Sequence, residues 1–345
     1  LEFSSVNRSN IYSNIVQNRG FGGDIFSESF VEVVVDTFTV MQPTGFHASP
    51  LENFTFDILN DAFQQVSADL FVSPDGDNAN DGLTPETPLK TIYNAMSIII
   101  ADVTNALTIH LANGIYSQST NGEIFPIQFG DYISLVGESE NGVILDAEGV
   151  NKVMVCSNVS NPAISNLTIT GGVSIPYNIG TGGLLVENSN TTLENVTITG
   201  NTSFRGGGIY FLDGEGIFTN VTITGNTSTS GGGGIYFDNS TASFEYVTIS
   251  NNSTNFSGGG IYSYGSSLEL SLENRCNIYS NNVSNTGSGA DIYSNSLLEV
   301  VVDTFTVLNP TEYHASPLQN FTFDILNSIN EQINADIYVS PNGDN

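Results

Sequence analysis

Short runs of alternating apolar and polar residues recur along the chain, separated by clusters of Gly, Asn and Ser. "NLTITGG" starts at 166, "NVTITGN" at 195 and 220, and "YVTISNN" at 246. Between them come "GGGIY" at 206, 232 and 258 and "GADIY" at 289. Alternation such as Val196-Thr197-Ile198 marks half-buried strands, and the Gly/Asn clusters mark turns. From Ile209 to Ile235 to Ile261 the step is 26 residues. A period in the twenties, filled by two or three short strands, predicts an all-β, right-handed parallel β-helix, a solenoid. One coil cannot bury its apolar face alone, so coils stack about 4.8 Å apart around a shared core. Thr, Val and Ile suit such ladders, and the glycine runs suit corners. Asn201, Asn226 and Asn252 recur just after a strand, where each amide can bond the Asn of the next coil and where Asn tolerates the left-handed region.

The pattern changes over 70–150. The stretch from 70 opens with a strand and passes into the loop "DGDNANDG" at 75–82, and then Leu89, Ile92, Met96, Ile99 and Val103 step at helical spacing. Thr87 and Pro88 supply an N-cap and a first-turn proline, which predicts a short capping helix near 89–103. Such a helix would cover the open end of the solenoid, where a sheet edge and an apolar core are otherwise exposed. "LTIHLANGIYS" at 107–117, "FPIQFGDYISLVGES" at 125–139 and "GVILDAEG" at 142–149 then read as the first coils.

A longer repeat overlies the shorter one. Residues 1–78 match 268–345 without a gap, at an offset of 267, with roughly two-thirds of positions identical. "VEVVVDTFTV" at 31–40 meets "LEVVVDTFTV" at 298–307, and "HASPLENFTFDILN" at 47–60 meets "HASPLQNFTFDILN" at 314–327. The chain therefore reads as part of a tandem array. Residues 1–67 are the last coils and junction of a preceding unit, and 68–334 are one complete unit. Within it, 68–106 form the N-terminal cap, 107–307 the coils and 308–334 the junction; 335–345 start the next unit. The junction carries alternating apolar residues rather than a Gly/Ser linker. Val33, Val35, Phe38, Phe54, Phe56 and Ile58 are expected to dock one unit on the next. Phe305, Phe321, Phe323 and Ile325 repeat the set. His47 and His314 occupy matching places, with packing or hydrogen bonding their expected role.

Composition narrows the function. There are 36 acidic residues against six basic ones, a formal charge of −30. No basic stripe exists to contact a phosphate backbone, which argues against nucleic-acid binding. No apolar run approaches a membrane span of about 20 residues. Cys156 and Cys276 lie about four coils apart, so they are expected as buried free thiols rather than a disulfide. Asn-x-Ser/Thr triplets, among them Asn195, Asn201, Asn220, Asn226, Asn239 and Asn320, are as frequent as an Asn/Thr-rich chain makes them by chance, and glycosylation there stays open where the source has the machinery. Asp75, Asp77, Asn78, Asn80 and Asp81 fall in one glycine-hinged loop, so Ca²⁺ is a candidate ligand there beside a plain Asx-rich turn.

"FVSPDGDNANDGLTPETPLKTIYNAM" and the "TIHLANGIYS…VILDAEG" stretch that follows resemble the N-terminal module of secreted bacterial right-handed β-helix proteins, a domain of unknown function in the pectate-lyase-like superfamily. The "GGGIY" and "NVTITGN" pairs are similar to repeats of chlamydial polymorphic outer-membrane proteins and related adhesin-like β-helices. The resemblance implies a secreted or cell-surface protein. Lyases of that superfamily use clustered acidic Ca²⁺ ligands with an Arg or Lys base, and its hydrolases carry paired Asp residues and a His-Gly. Here no His-Gly occurs, Arg205 has Gly231 and Ser257 at its place in the next coils, and Glu138, Glu140, Asp146 and Glu148 fall at turns. The expectation is therefore that the chain is no enzyme. It is instead a structural subunit of an extracellular fibre or stalk, its partners copies of itself head to tail. The alternative is a surface adhesin that binds glycans, with Tyr210, Tyr236 and Tyr262 as an aromatic stripe.

Overall fold

The computed structural model describes residues 3–14, 23–174, 180–284 and 287–333. A parallel β-solenoid runs from Leu70–Val72 to Phe321–Ser328. One sheet of 14 strands forms its broadest face, a sheet of eight forms a second, and a sheet of four, from Thr202–Ser203 to Asn282–Val283, forms a short third. The coils that carry the four-stranded sheet cross all three in turn, as in Glu215–Thr224, then Thr227–Ser228, then Ile235–Asp238.

Like residues stack on like, because the register is set by which side of each strand is apolar. Val196 and Ile198 pair with Val221 and Ile223, and Ile223 with Ile249. All are buried, while the intervening Thr197 and Thr222 face outward. Phe211 stacks on Phe237 at 5.2 Å and Phe218 on Phe244 at 4.8 Å between ring centroids. Burying each such ring contributes about 1.5–3 kcal/mol. The first glycine of "GGGIY" is a requirement of the corner. Gly206, Gly232 and Gly258 sit at φ between 57° and 66°, and a Cβ there would lie 2.1–2.4 Å from the carbonyl oxygen three residues on.

The asparagine row forms, with one correction. Asn201 Nδ2 donates to Asn226 Oδ1, Asn226 Nδ2 to Asn252 Oδ1, and Asn252 Nδ2 to Asn281 Oδ1, all at 3.0–3.1 Å and all buried. These residues are not left-handed. That conformation belongs to the residue before each, Gly200, Gly225 and Asn251. The row ends on an acid: Asn281 donates both its backbone N–H and Nδ2 to Asp291 Oδ1, and the second oxygen of Asp291, also buried, has no partner.

The helix, α1, spans Ile92–Ile98 and is shorter than its spacing predicts. Thr91, not Thr87, caps it by accepting from Asn94 N–H. Past Ile98 the backbone turns extended and pairs with Val66 instead. Buried Glu123 accepts from the N–H groups of Ile92 at 2.8 Å and Tyr93 at 2.9 Å, which ties the helix start to the first coils. Leu89, Ile92, Ala95 and Ile99 close the core over Leu70 and Ile127.

Residues 9–61 form a second, smaller block. Val31–Phe38 lies between Ser9–Ile11 and Phe54–Asp61, and Ile25–Phe26 pairs with Ala48–Ser49. The matching residues at the far end repeat its register: Val35 faces Ile58, and Val302 faces Ile325. Arg8 pairs with Asp57 and Arg275 with Asp324, both at 2.6 Å. Residues 335–345, read as the start of a further unit, lie outside the described residues. The ten apolar junction residues serve these end coils themselves. Val33, Val35, Phe38 and Phe54 form a separate core with Phe56 and Ile58 half-buried against it, and Phe305, Phe321, Phe323 and Ile325 pack in the same way onto the long core. Alternation pointed correctly to burial, but inside each coil.

Candidate functional site

The two blocks meet where the loop before Ala48 touches α1. Phe46 packs against Tyr93 at 5.3 Å between rings and joins the core of the long solenoid. Buried His47 is fixed at both nitrogens. Its Nε2–H donates to the carbonyl of Ser97 at 2.9 Å, and its Nδ1 accepts from Thr44 N–H at 3.3 Å. A carbonyl can only accept and an amide N–H can only donate, so this geometry requires the neutral Nε2–H tautomer. Burial agrees, lowering the pKa of His47 to about 4 against the pull of the Ser97 carbonyl. Val66 adds a strand-like bridge, its N–H donating to Ile98 O and its carbonyl accepting from Ile100 N–H. Next to His47 lies a cavity of about 130 Å³ lined by Asp24, Tyr93, Ser97 and Asn14.

The matching residues of the second copy are more exposed. Phe46 is 8% exposed and its counterpart Tyr313 51%; Val66 is half-buried and its counterpart Ile333 67% exposed. His314 keeps the Thr311 contacts through Nδ1 but is only half-buried. Phe56 and Ile58, in contrast, are half-buried just as Phe323 and Ile325 are, although a unit follows them. The joint therefore covers one side of the last coil and leaves the inner face of its final strand partly open. Sequence reasoning missed Phe46, Val66, Tyr93 and Ser97. The one available signal was an aromatic residue before the histidine in both copies.

The loop at 75–82 is an Asx-rich turn. Asn78 Oδ1 accepts from Lys90 and Thr91 N–H, Asn80 Nδ2 donates to Pro88 O, and Asp77 Oδ1 accepts from Ala79 N–H. Asp81 Oδ1 accepts from Leu83 N–H and the Thr87 hydroxyl, which holds its pKa below the usual range. Among the described residues no three His, Cys, Asp or Glu converge as metal ligands. The loop folds onto the entry to α1.

The tyrosines lie on the outer face of the eight-stranded sheet. Tyr236, Tyr262 and Tyr293 stack nearly parallel at 4.5 and 4.7 Å, and Tyr210 meets Tyr236 edge-on. Tyr210 and Tyr236 are buried. The faces of the inner rings that a sugar would stack against are thus used between neighbours. Arg205 lies 5.2 Å above Tyr236, with its buried Nε unpartnered. The carboxylates at the turns are bonded locally: Glu138 to Asn113 N–H, Glu140 to the Thr197 hydroxyl, Asp146 to Glu148 N–H, and Glu148 to Ser117 and Ser119. Both cysteines are free and buried.

The family described as protein of unknown function (DUF1565) matches residues 74–303. No curated protein matches the sequence. Among solved structures the chain is similar to pectin methylesterase PemA from Erwinia chrysanthemi, at 13% identity and a TM-score of 0.37, over 76% of this chain and 90% of that one. A pectin methylesterase in complex with hexasaccharide VII gives 14% and 0.37 over 75% and 88%. A rhamnogalacturonan lyase gives 12% and 0.36 over 70% of each. These neighbours are enzymes, which corrects the expectation that the chain is none; that exclusion is withdrawn. Likeness of this degree assigns no activity, substrate or residue.

Proposed function

This chain belongs to the family of proteins of unknown function DUF1565, and from that premise we propose that it is a structural rod. In this reading β-solenoid units, each about 267 residues long, follow one another and form an extracellular fibre or cell-surface stalk. The joint carries the reading: the block at 9–61 is held on α1 by Phe46, His47 and Val66, and the same residue types recur at Tyr313, His314 and Ile333. A flexible tether would need none of these contacts. A packed joint holds the angle between rods, and a shared angle is what turns a string of domains into a stiff element. The charge of −30 suits this role, since it keeps neighbouring chains soluble and apart.

Electron microscopy of the native material tests the proposal. Nine steps of about 4.8 Å plus the joint set an axial repeat on the order of 50 Å. Fibres or stalks with that repeat support the rod; isolated globules with no end-to-end contact overturn it. A rod and a catalytic surface are compatible. Release of methanol from pectin, or of unsaturated oligosaccharides from rhamnogalacturonan, would add an activity to the outer faces without removing the joint.

A further inference from the structure

We propose that the joint is proton-sensitive: uptake of a proton at His47 releases the block at 9–61 from α1. This rests on the rod reading and adds a control to it.

The geometry serves the imidazolium poorly, with one hydroxyl as its acceptor at Nδ1. Nε2–H already donates to Ser97 O, and Nδ1 faces the N–H of Thr44, itself a donor. A protonated Nδ1 would point a second donor at that N–H, with only the Thr44 hydroxyl at 3.2 Å able to accept. Opening the joint gives the ring to water. Two other titratable groups line the cavity at His47, among the described residues. Tyr93, from α1, has its pKa raised to about 12 by burial and stays neutral throughout. Asp24, from the coil, also has a raised pKa. Its counterpart Asp291, at the end with no described neighbour, is raised to about 6. From the loop that follows, Phe63 lines the cavity, and the charged Asp61 lies two residues before it.

The sign follows from linkage. The docked state holds His47 near pKa 4, against an ordinary value of 6.5. Stability of the joint is then complete above pH 6.5 and falls as pH drops toward 4. If the open state titrates at the ordinary value, the open-to-closed ratio at pH 5 rises by at most about 30-fold.

The test uses the full chain carrying Ser29→Cys and Asn141→Cys, both exposed positions on opposite sides of the joint, with spin labels; Cys156 and Cys276 are buried and remain unlabelled. A single distance at pH 7.5, joined by a longer population below pH 6, is expected. His47→Gln, whose amide can donate to Ser97 O at every pH, is expected to keep the single distance to pH 4.5, while His314→Gln opens like the parent. A parent that keeps one distance at pH 4.5, or a His47→Gln chain that opens on the parent's curve, overturns the proposal. A broad distribution already at pH 7.5 sinks the rod reading instead. Should His47→Gln not dock, the ring-proton titration of His47 by NMR decides: a midpoint unchanged from a free histidine contradicts the geometry.

Discussion

Asn226→Ala probes the inner asparagine row. The side chain is fully buried and serves three coils at once. Its Nδ2 donates to Ile198 O, Thr224 O and Asn252 Oδ1, and its Oδ1 accepts from the backbone and side chain of Asn201. Alanine leaves the Asn201 N–H without an acceptor, while Asn201 Nδ2 keeps Ile169 O and Thr199 O. One orphaned N–H and three oxygens that lose a donor, at about 1–3 kcal/mol for a full orphan and less for an under-bonded oxygen, give a loss of roughly 3–5 kcal/mol. The outer row supplies the control. Asn220 is exposed, donates to Asn195 Oδ1 at 2.8 Å and sits at φ 52°, so Asn220→Gly should cost under about 1 kcal/mol. Native-state hydrogen exchange is the assay, because coils of a solenoid open locally and neighbours report the defect. Amides from 196 to 235 should lose protection in Asn226→Ala, with the effect fading toward Leu135. Equal losses in the two variants, or a change below about 1 kcal/mol for Asn226→Ala, would refute the distinction between a buried and a solvated ladder.

Other outcomes follow from the same geometry. Phe237→Ala, removing a ring stacked on Phe211, should cost about 3–5 kcal/mol by urea unfolding. Asp291 is shifted up to about 6 from 3.8 by burial, so its ionisation opposes folding: full stability holds below pH 4 and is lost as pH rises through 6. Asp291→Asn should remove that slope and stabilise the protein at pH 7.5 by up to about 3 kcal/mol, read from melts across pH; an unchanged slope would exclude Asp291 as its source. An intact turn at 75–82 competes with Ca²⁺ for the oxygens of Asn78 and Asp81, so calorimetry should show no tight stoichiometric binding; a one-to-one site would return the loop to metal chemistry.

The solenoid was legible because its physics is local and periodic. Val196, Ile198 and their successors announce inward positions every second residue, and "GGGIY" announces a corner that only glycine can turn. The joint was not legible, since it depends on which surfaces meet after the coils form. Phe54 and Phe46 are both buried aromatics near the junction, yet one packs within its own coil and the other against Tyr93. The tethering of α1 by Glu123, 30 residues downstream, leaves no mark in the helix's own pattern. Thr87-Pro88 looked like a helix start because the composition fits, but the Asx turn draws those residues into the loop and hands the cap to Thr91.

Small-angle X-ray scattering of the 345-residue chain at pH 7.5 tests the joint most directly. A docked joint predicts one scattering profile reproduced by a single rigid arrangement of both blocks and unchanged by dilution. A profile that only a spread of inter-block distances can reproduce would contradict it.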